Sequence, residues 1–305
     1  MSSVDAFPNR FQESSRIVDI VPEGGEQDHQ TGFPGQVHAA DGFASGALGF
    51  DNVERITCRL RAEDHIVGVN GFHPIGTEKY KLLRYRLNRI RQARPLNSLL
   101  VTSTIPREGK TVTAVNLAVS LAMTSARVCL VDADMRKPSI HTALGIRPFA
   151  GLAEYLEGRL DLASTYRLTV PLGFCFVSAG RPTLQPVELL QSPRMREFVK
   201  EMSNTFDWLI IDSPPLDPFA DGHCLAAITD GVLLVVREGF IQRRELQRSI
   251  ASLNGAYVAG VVLNQTKDSQ RDFYNYYYGV PSPPRHRILR AMPNLLSKGS
   301  FSKNG

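Results

Sequence analysis

An α/β fold with a mostly parallel central sheet and helices on both faces is predicted by two observations. Short, near-continuous runs of Val, Ile and Leu recur along the chain, and stretches of helical length separate most of them. Strands buried on both faces lose the apolar–polar alternation of a half-exposed sheet, and parallel neighbours need a crossover that a helix supplies. The chain has 305 residues, 43% hydrophobic and 21% charged, which is ordinary for a globular protein with a sizeable core. No run approaches the roughly 18 apolar residues of a membrane span. The first residues, "MSSVDAFPNRFQESSR", lack the apolar stretch of a signal peptide, so a cytoplasmic location is expected.

Taken in order, residues 1–55 are rich in Gly, Ser, Asp, Gln and Pro, show no sustained period, and are expected to be disordered. Within 56–76, "HIVGV" is a candidate short strand. Residues 77–93 read as a helix, with Thr77 as N-cap and Tyr80, Leu83, Leu87 and Ile90 at spacings of three and four, closed by Pro95. Strands are expected at 98–103, 127–132, 173–178, 207–212, 231–236 and 258–264, and helices at 111–125, 186–203 and 240–254. Arg243, Arg244 and Glu245 read as a solvated helix face. Cys58, Cys129, Cys175 and Cys224 are scattered without ligand spacing and read as structural thiols, as His141 and His223 read as structural histidines.

The formal charge of +5 is that of the tail alone: from Gly279 onward Arg285, Arg287, Arg290, Lys298 and Lys303 meet no acidic residue. A neutral body with a basic tail is not the footprint of a nucleic-acid-binding domain.

Between the first sheet strand and its helix stands "STIPREGKTVTAVNLA", with Gly109-Lys110-Thr111 at its core. A tight turn at a helix N-terminus aims backbone N–H groups at an anion, and the macrodipole favours it. Lysine at this place reaches the β- and γ-phosphates of a nucleotide, and the threonine hydroxyl can ligate Mg²⁺. The loop residues Pro106, Arg107, Glu108, Gly109, Lys110, Thr111 and Val112 are therefore candidate nucleotide contacts, although Thr104 stands where the motif's first glycine would be. "CLVDADMRKP" ends a strand with Asp132 and then offers Asp134 and Arg136, the latter a further candidate nucleotide contact, while "WLIIDSPP" ends another with Asp212. Ligands of open parallel sheets bind beyond the strands' C-terminal ends, so these carboxylates should meet the phosphates there. Asp132 and Asp212 suit Mg²⁺, directly or through water. Asp134 could accept a proton from a nucleophile, or pair with Arg136 or cap a turn. Asn264, after the last strand, is a candidate adenine contact or a strand-end turn residue.

The succession "PREGKT", "CLVDADMRKP", "WLIIDSPP" and a C-terminal tyrosine cluster resembles the bacterial protein-tyrosine kinases of capsular and exopolysaccharide systems, over roughly 77–280. The resemblance implies a P-loop NTPase fold, Asp132-x-Asp134-x-Arg136 as Walker A′, and a Walker B strand ending at Asp212. It implies Mg-ATP-dependent autophosphorylation of Tyr274, Tyr276, Tyr277 and Tyr278 on a neighbouring subunit, with Lys110, Asp132, Asp134 and Asp212 carrying the chemistry. The family's ExxRxxR motif, which helps build a ring of subunits, reads here as Glu78, Lys81 and Arg84; lysine keeps the charge of the middle position but loses the bidentate fork. A membrane-embedded activator that recruits the kinase to the inner membrane face is also implied. The expected organisation is a disordered segment over 1–55, a kinase domain over 56–280 and a basic flexible tail over 281–305.

"RDFYNYYYGVPSPP" shows no alternation and is followed by Gly279 and three prolines, which fits an exposed acceptor strip better than a packed strand. Two other classes compete. A partitioning-type switch ATPase shares the fold, but its signature lysine falls where this chain has Ile105. A non-catalytic nucleotide-dependent scaffold would not require all of Lys110, Thr111, Asp132, Asp134 and Asp212.

Overall fold

The computed structural model of the chain describes residues 17–20, 52–61, 65–68 and 74–266. They fall within the first of two compact units, Met1–Lys267. Among the described residues nine strands form the sheet: β1 (Ile17–Ile20), β2 (Arg55–Thr57), β3 (Ser98–Ser103), β4 (Val128–Asp132), β5 (Tyr166–Val170), β6 (Cys175–Val177), β7 (Trp208–Asp212), β8 (Gly231–Arg237) and β9 (Val258–Asn264). Their spatial order is β1-β9-β8-β3-β7-β4-β6-β5-β2. Every pairing is parallel except that of β5 with β6.

The helices are α1 (Pro74–Ala93), α2 (Lys110–Ala122), α3 (Ile140–Ala143), α4 (Leu152–Leu156), α5 (Pro186–Gln191), α6 (Pro193–Thr205), α7 (Asp221–Ala226) and α8 (Arg243–Ser252). The central strands are buried throughout, and successive residues feed two different cores. Leu99, Val101, Leu130, Trp208 and Ile210 pack on one face with Tyr80, Leu83 and Leu87 of α1 and Val115 and Leu117 of α2. Leu100, Val131, Leu209 and Ile211 pack on the other with Leu190, Met195, Phe198, Met202 and Leu225 of α5, α6 and α7. The period-two alternation of strand side chains thus builds a three-layer molecule.

Several expectations are corrected. Helix α1 begins at Pro74, so Thr77 lies inside it and is not its cap. The described part of "HIVGV" forms a turn, with His65 at φ 52°; Asn116 of α2 holds it by accepting from Val67 N (2.8 Å) and donating to His65 O (3.0 Å). Strand β1 stands within the stretch expected to be unstructured. The helix expected over 186–203 is two helices, because Pro193 lacks an N–H and its ring obstructs the preceding turn. Ser192 ends the first and caps the second, its Oγ accepting from Met195 N (3.3 Å). Arg243, Arg244 and Glu245 form the exposed helix face expected, and the Glu245 carboxylate in addition accepts from Gln242 N (2.7 Å) and closes a capping box at the start of α8.

The four cysteines are free thiols, and burial pushes those of Cys58 and Cys175 up to about 12.

The arrangement leaves β3 between β7 and β8, with Val101 level with Asp212 and Asp212 level with Asp132. Three strand ends therefore open at one height, where chain connections diverge to either side of β3.

Candidate functional site

The loop from Thr104 to Gly109 joins β3 to α2. Gly109 is the N-cap residue at φ 91°, a left-handed conformation that glycine adopts without strain. A Cβ there would also lie 1.9 Å from Asn264 Nδ2, so no larger residue fits. Arg107 takes φ 69°, and Pro106 and Arg107 are exposed at the tip.

Glu108, one of the candidate nucleotide contacts of the loop, has its side chain wholly buried and turned into the loop. Its Oε2 accepts from Ile105 N (2.9 Å), its Oε1 from Arg237 N at the end of β8 (3.3 Å), and its carbonyl from Asn264 Nδ2 at the end of β9 (3.0 Å). Burial pushes its carboxyl above the usual range. The Asn264 amide is likewise engaged with the loop, its Oδ1 accepting from Gln265 N (3.0 Å). These two side chains tie the loop to two neighbouring strand ends.

At the base of α2, Lys110 Nζ donates to Asp134 Oδ2 (3.0 Å) and lies 3.8 Å from Asp212 Oδ1. Thr111 Oγ1 donates to Asp212 Oδ2 (2.7 Å) and accepts from Ser139 Oγ (3.3 Å). Asp132 receives Asp134 N on Oδ1 (3.2 Å) and both Ser139 N and Ile140 N on Oδ2 (3.1 Å each). Asp134 Oδ1 accepts from Lys137 N (2.9 Å). The candidates Lys110, Thr111, Asp132, Asp134 and Asp212 thus converge, and Ser139, which the sequence pattern did not single out, joins them. No spacing rule announces Ser139; the turn after Asp134 brings it back.

Burial dominates the electrostatics. Desolvation, reinforced by Asp212, raises the Asp132 carboxyl to about 7, and desolvation raises Asp212 to about 6 against the pull of Lys110. Burial lowers the Lys110 ammonium, but Asp212 and Asp134 more than offset it and hold it above its usual value. Asp212 Oδ1 is buried without a hydrogen-bond partner. An orphaned carboxylate oxygen beside a hydroxyl and a second carboxylate is a hard-oxygen donor set, and it fits Mg²⁺.

Arg136 does not pair with Asp134. Its Nε donates to both oxygens of Asp221 (3.1 and 3.2 Å) and its Nη2 to Asp221 Oδ2 (3.1 Å), while the guanidinium lies 4.6 Å over the Phe219 ring. Glu78 and Lys81 form an exposed ion pair (2.6 Å), whereas Arg84 donates to Ser120 O of α2 in the same chain. Tyr274, Tyr276, Tyr277 and Tyr278 lie outside the described residues. His223 Nε2 lies 3.1 Å from Ser252 Oγ, away from the cluster. A cavity of about 500 Å³ between α1 and strands β8 and β9 is lined by Leu83, Ile90, Tyr257 and Val261 among others, with no carboxylate among the described residues of its wall.

Residues 96–217 match a family model described as NUBPL iron-transfer P-loop NTPase, of the ParA group. The chain is 29% identical over 219 residues to tyrosine-protein kinase YwqD of Bacillus subtilis, covering 71% of this chain and 92% of that one. It is 30% identical over 181 residues to tyrosine-protein kinase CpsD of Streptococcus agalactiae, covering 58% of this chain and 79% of that one. The chain belongs to the bacterial protein-tyrosine kinase family. Some members of this family are much longer: the match to tyrosine-protein kinase wzc of Salmonella typhimurium, at 29% identity, spans 30% of that protein. Among solved structures, the kinase domain of Escherichia coli tyrosine kinase ETK is similar at 29% identity and a TM-score of 0.60, over 62% of this chain and 75% of that one. The chain therefore has the family's P-loop α/β fold, with a nucleotide-binding loop at the C-terminal ends of its parallel strands. Among the described residues, no helix is long and apolar enough to cross a membrane.

Proposed function

We propose that this protein is an ATP-dependent protein-tyrosine kinase that phosphorylates its own Tyr274, Tyr276, Tyr277 and Tyr278. The observation that carries the reading is the meeting of Lys110 and Thr111, on one helix N-terminus, with Asp132, Asp134 and Asp212 from two strand ends. Family membership supports it.

In this reading Thr111, Asp132 and Asp212 hold Mg²⁺, which when bound supplies positive charge to the β- and γ-phosphates. The backbone N–H groups at Gly109 and the first turn of α2 bind the phosphates. Lys110 neutralises charge that builds on the transferring group. Asp134 takes the proton from the acceptor phenol as its oxygen forms the new P–O bond; the bond from the γ-phosphorus to the β–γ bridging oxygen breaks, and ADP leaves. Asp134 is held for this by Lys110 on one oxygen and Lys137 N on the other.

The kinase domain takes in 56–280 together with strand β1 (Ile17–Ile20) of the same sheet, with Pro106, Arg107 and Val112 as further nucleotide contacts. The acceptor is presented in trans within a homo-oligomer whose contacts involve Glu78 and Lys81. Arg84, bound to Ser120, supports that surface from within. The chain works in the cytoplasm, recruited by a membrane-embedded activator, and regulates exopolysaccharide synthesis and export.

The test is incubation of purified protein with Mg-ATP and the activator's cytoplasmic segment, with phosphosites mapped by mass spectrometry. Lys110→Met should lower phosphotyrosine by roughly 100-fold or more. The quadruple Tyr→Phe variant should lose the signal from the cluster. ATP binding without phosphotyrosine would instead favour a switch ATPase.

A further inference from the structure

Two loops leave neighbouring strands at the open edge of the sheet. The loop after β4 carries Asp134 and, two positions on, Arg136; the loop after β7 carries Phe219 and leads into Asp221 at the start of α7. Asp221 is wholly buried, while the Arg136 side chain remains 34% exposed. The Nε/Nη2 edge of the guanidinium is consumed by Asp221, and its plane lies over Phe219 at 4.6 Å. A guanidinium so held has its position fixed and its charge matched by a buried carboxylate. It is therefore a poor receptor for another anion, the role expected of it from the sequence. Besides Nη1, which the bond to Asp221 does not use, it retains a flat, weakly hydrated surface of the kind that stacks on aromatic rings.

We propose that Arg136 and Phe219 form the slot that receives the phenol ring of the acceptor, and that Asp221 is the positioning residue that holds Arg136 in place. The inference rests on the kinase reading and deepens it. An incoming tyrosine ring packs against the Arg136–Phe219 pair, beside the loop that carries Asp134. Serine and threonine have no ring to offer the slot, so the pair selects for tyrosine. Asp221 touches neither acceptor nor nucleotide; it acts through the two-point bond to Arg136.

The test uses the full-length protein and a synthetic peptide of residues 270–282, with a second peptide carrying serine in place of the four tyrosines. Rates are measured against peptide and against ATP concentration, and ATP hydrolysis is measured without peptide. In Phe219→Leu and Arg136→Lys, the KM for the tyrosine peptide should rise about 3- to 30-fold, the range expected for losing one aromatic or cation–π stack. In Phe219→Leu the KM for ATP and the hydrolysis without peptide should stay within about twofold. Asp221→Asn should reproduce the Arg136→Lys effect; because it disturbs a buried pair, Phe219→Leu provides the arm that leaves that pair intact. The serine peptide should not be phosphorylated. An unchanged peptide KM in both Phe219→Leu and Arg136→Lys would overturn the slot. So would a raised KM for ATP with the peptide KM unmoved, which would return Arg136 to the nucleotide. If the wild-type protein phosphorylates neither its own tyrosines nor the peptide, the kinase reading fails first and the slot goes with it.

Discussion

Asp132 and Asp212 sit at the same height on adjacent strands, both almost wholly buried, and burial makes both reluctant to ionise. The consequence has a definite sign. A carboxyl whose folded pKa lies above its unfolded value favours the fold while protonated, below the unfolded pKa, and loses that contribution as pH rises through the folded pKa. The ligand-free protein should therefore melt at a lower temperature as pH rises through about 6 to 7, the values of Asp212 and Asp132. Activity should run the other way, rising with pH over that interval as the carboxylates proposed to hold the metal ionise; thermal melting and a pH–rate profile on the same sample would reveal either sign. Asp134→Asn removes the proposed base and should lower phosphorylation by roughly 100-fold or more while ATP binding persists. Gly109→Ala forces a Cβ into the Asn264 amide and a left-handed φ on alanine, and should cost at least about 1–3 kcal/mol in denaturant unfolding. These residues were legible because acidic strand ends and a glycine–lysine–threonine turn are local patterns. Glu108 and Asn264 were not: their roles depend on β8 and β9 arriving beside the loop, and a linear spacing does not record that.

Among the elements, the buried strands were legible almost to the residue, since a short, unbroken Val/Ile/Leu run between helical stretches suits a strand covered on both faces and little else. Strand β3 matches its expected span, and β9 does as well. Strands β1, β2 and β5 were missed. They are four, three and five residues long at or near the sheet edges, and pairing partners rather than composition define them. The break between α5 and α6 was written in Ser192-Pro193 and overridden by the apolar period that runs through it. Ser192→Ala should destabilise the fold by about 1 kcal/mol through loss of the cap, read from the chemical denaturation midpoint. Glu108→Ala should do more, because Ile105 N and Arg237 N both lose their buried acceptor, at about 1–3 kcal/mol for each unsatisfied group. Glu108→Gln, which keeps an acceptor oxygen, should recover part of that loss.

At the scale of the molecule, the described residues of the two cores on either face of the sheet run as far as Val262 and lie within the unit Met1–Lys267. A chain ending at Lys267 should therefore melt within a few degrees of the full protein and bind nucleotide comparably, yet show no phosphotyrosine in the assay above. Large core residues set the scale of what would unfold it: Trp208→Ala or Phe198→Ala should cost about 3–5 kcal/mol.

The brace built by Glu108 and Asn264 makes the phosphate loop and the ends of β8 and β9 one mechanical piece. Asn264 is the last residue of the last strand, and the same side chain that touches the loop also receives Gln265 N, the next link of the chain on its way to the tyrosines. A displacement of the loop would therefore be felt at both strand ends, and through the single Asn264 amide at residue 265 beyond them.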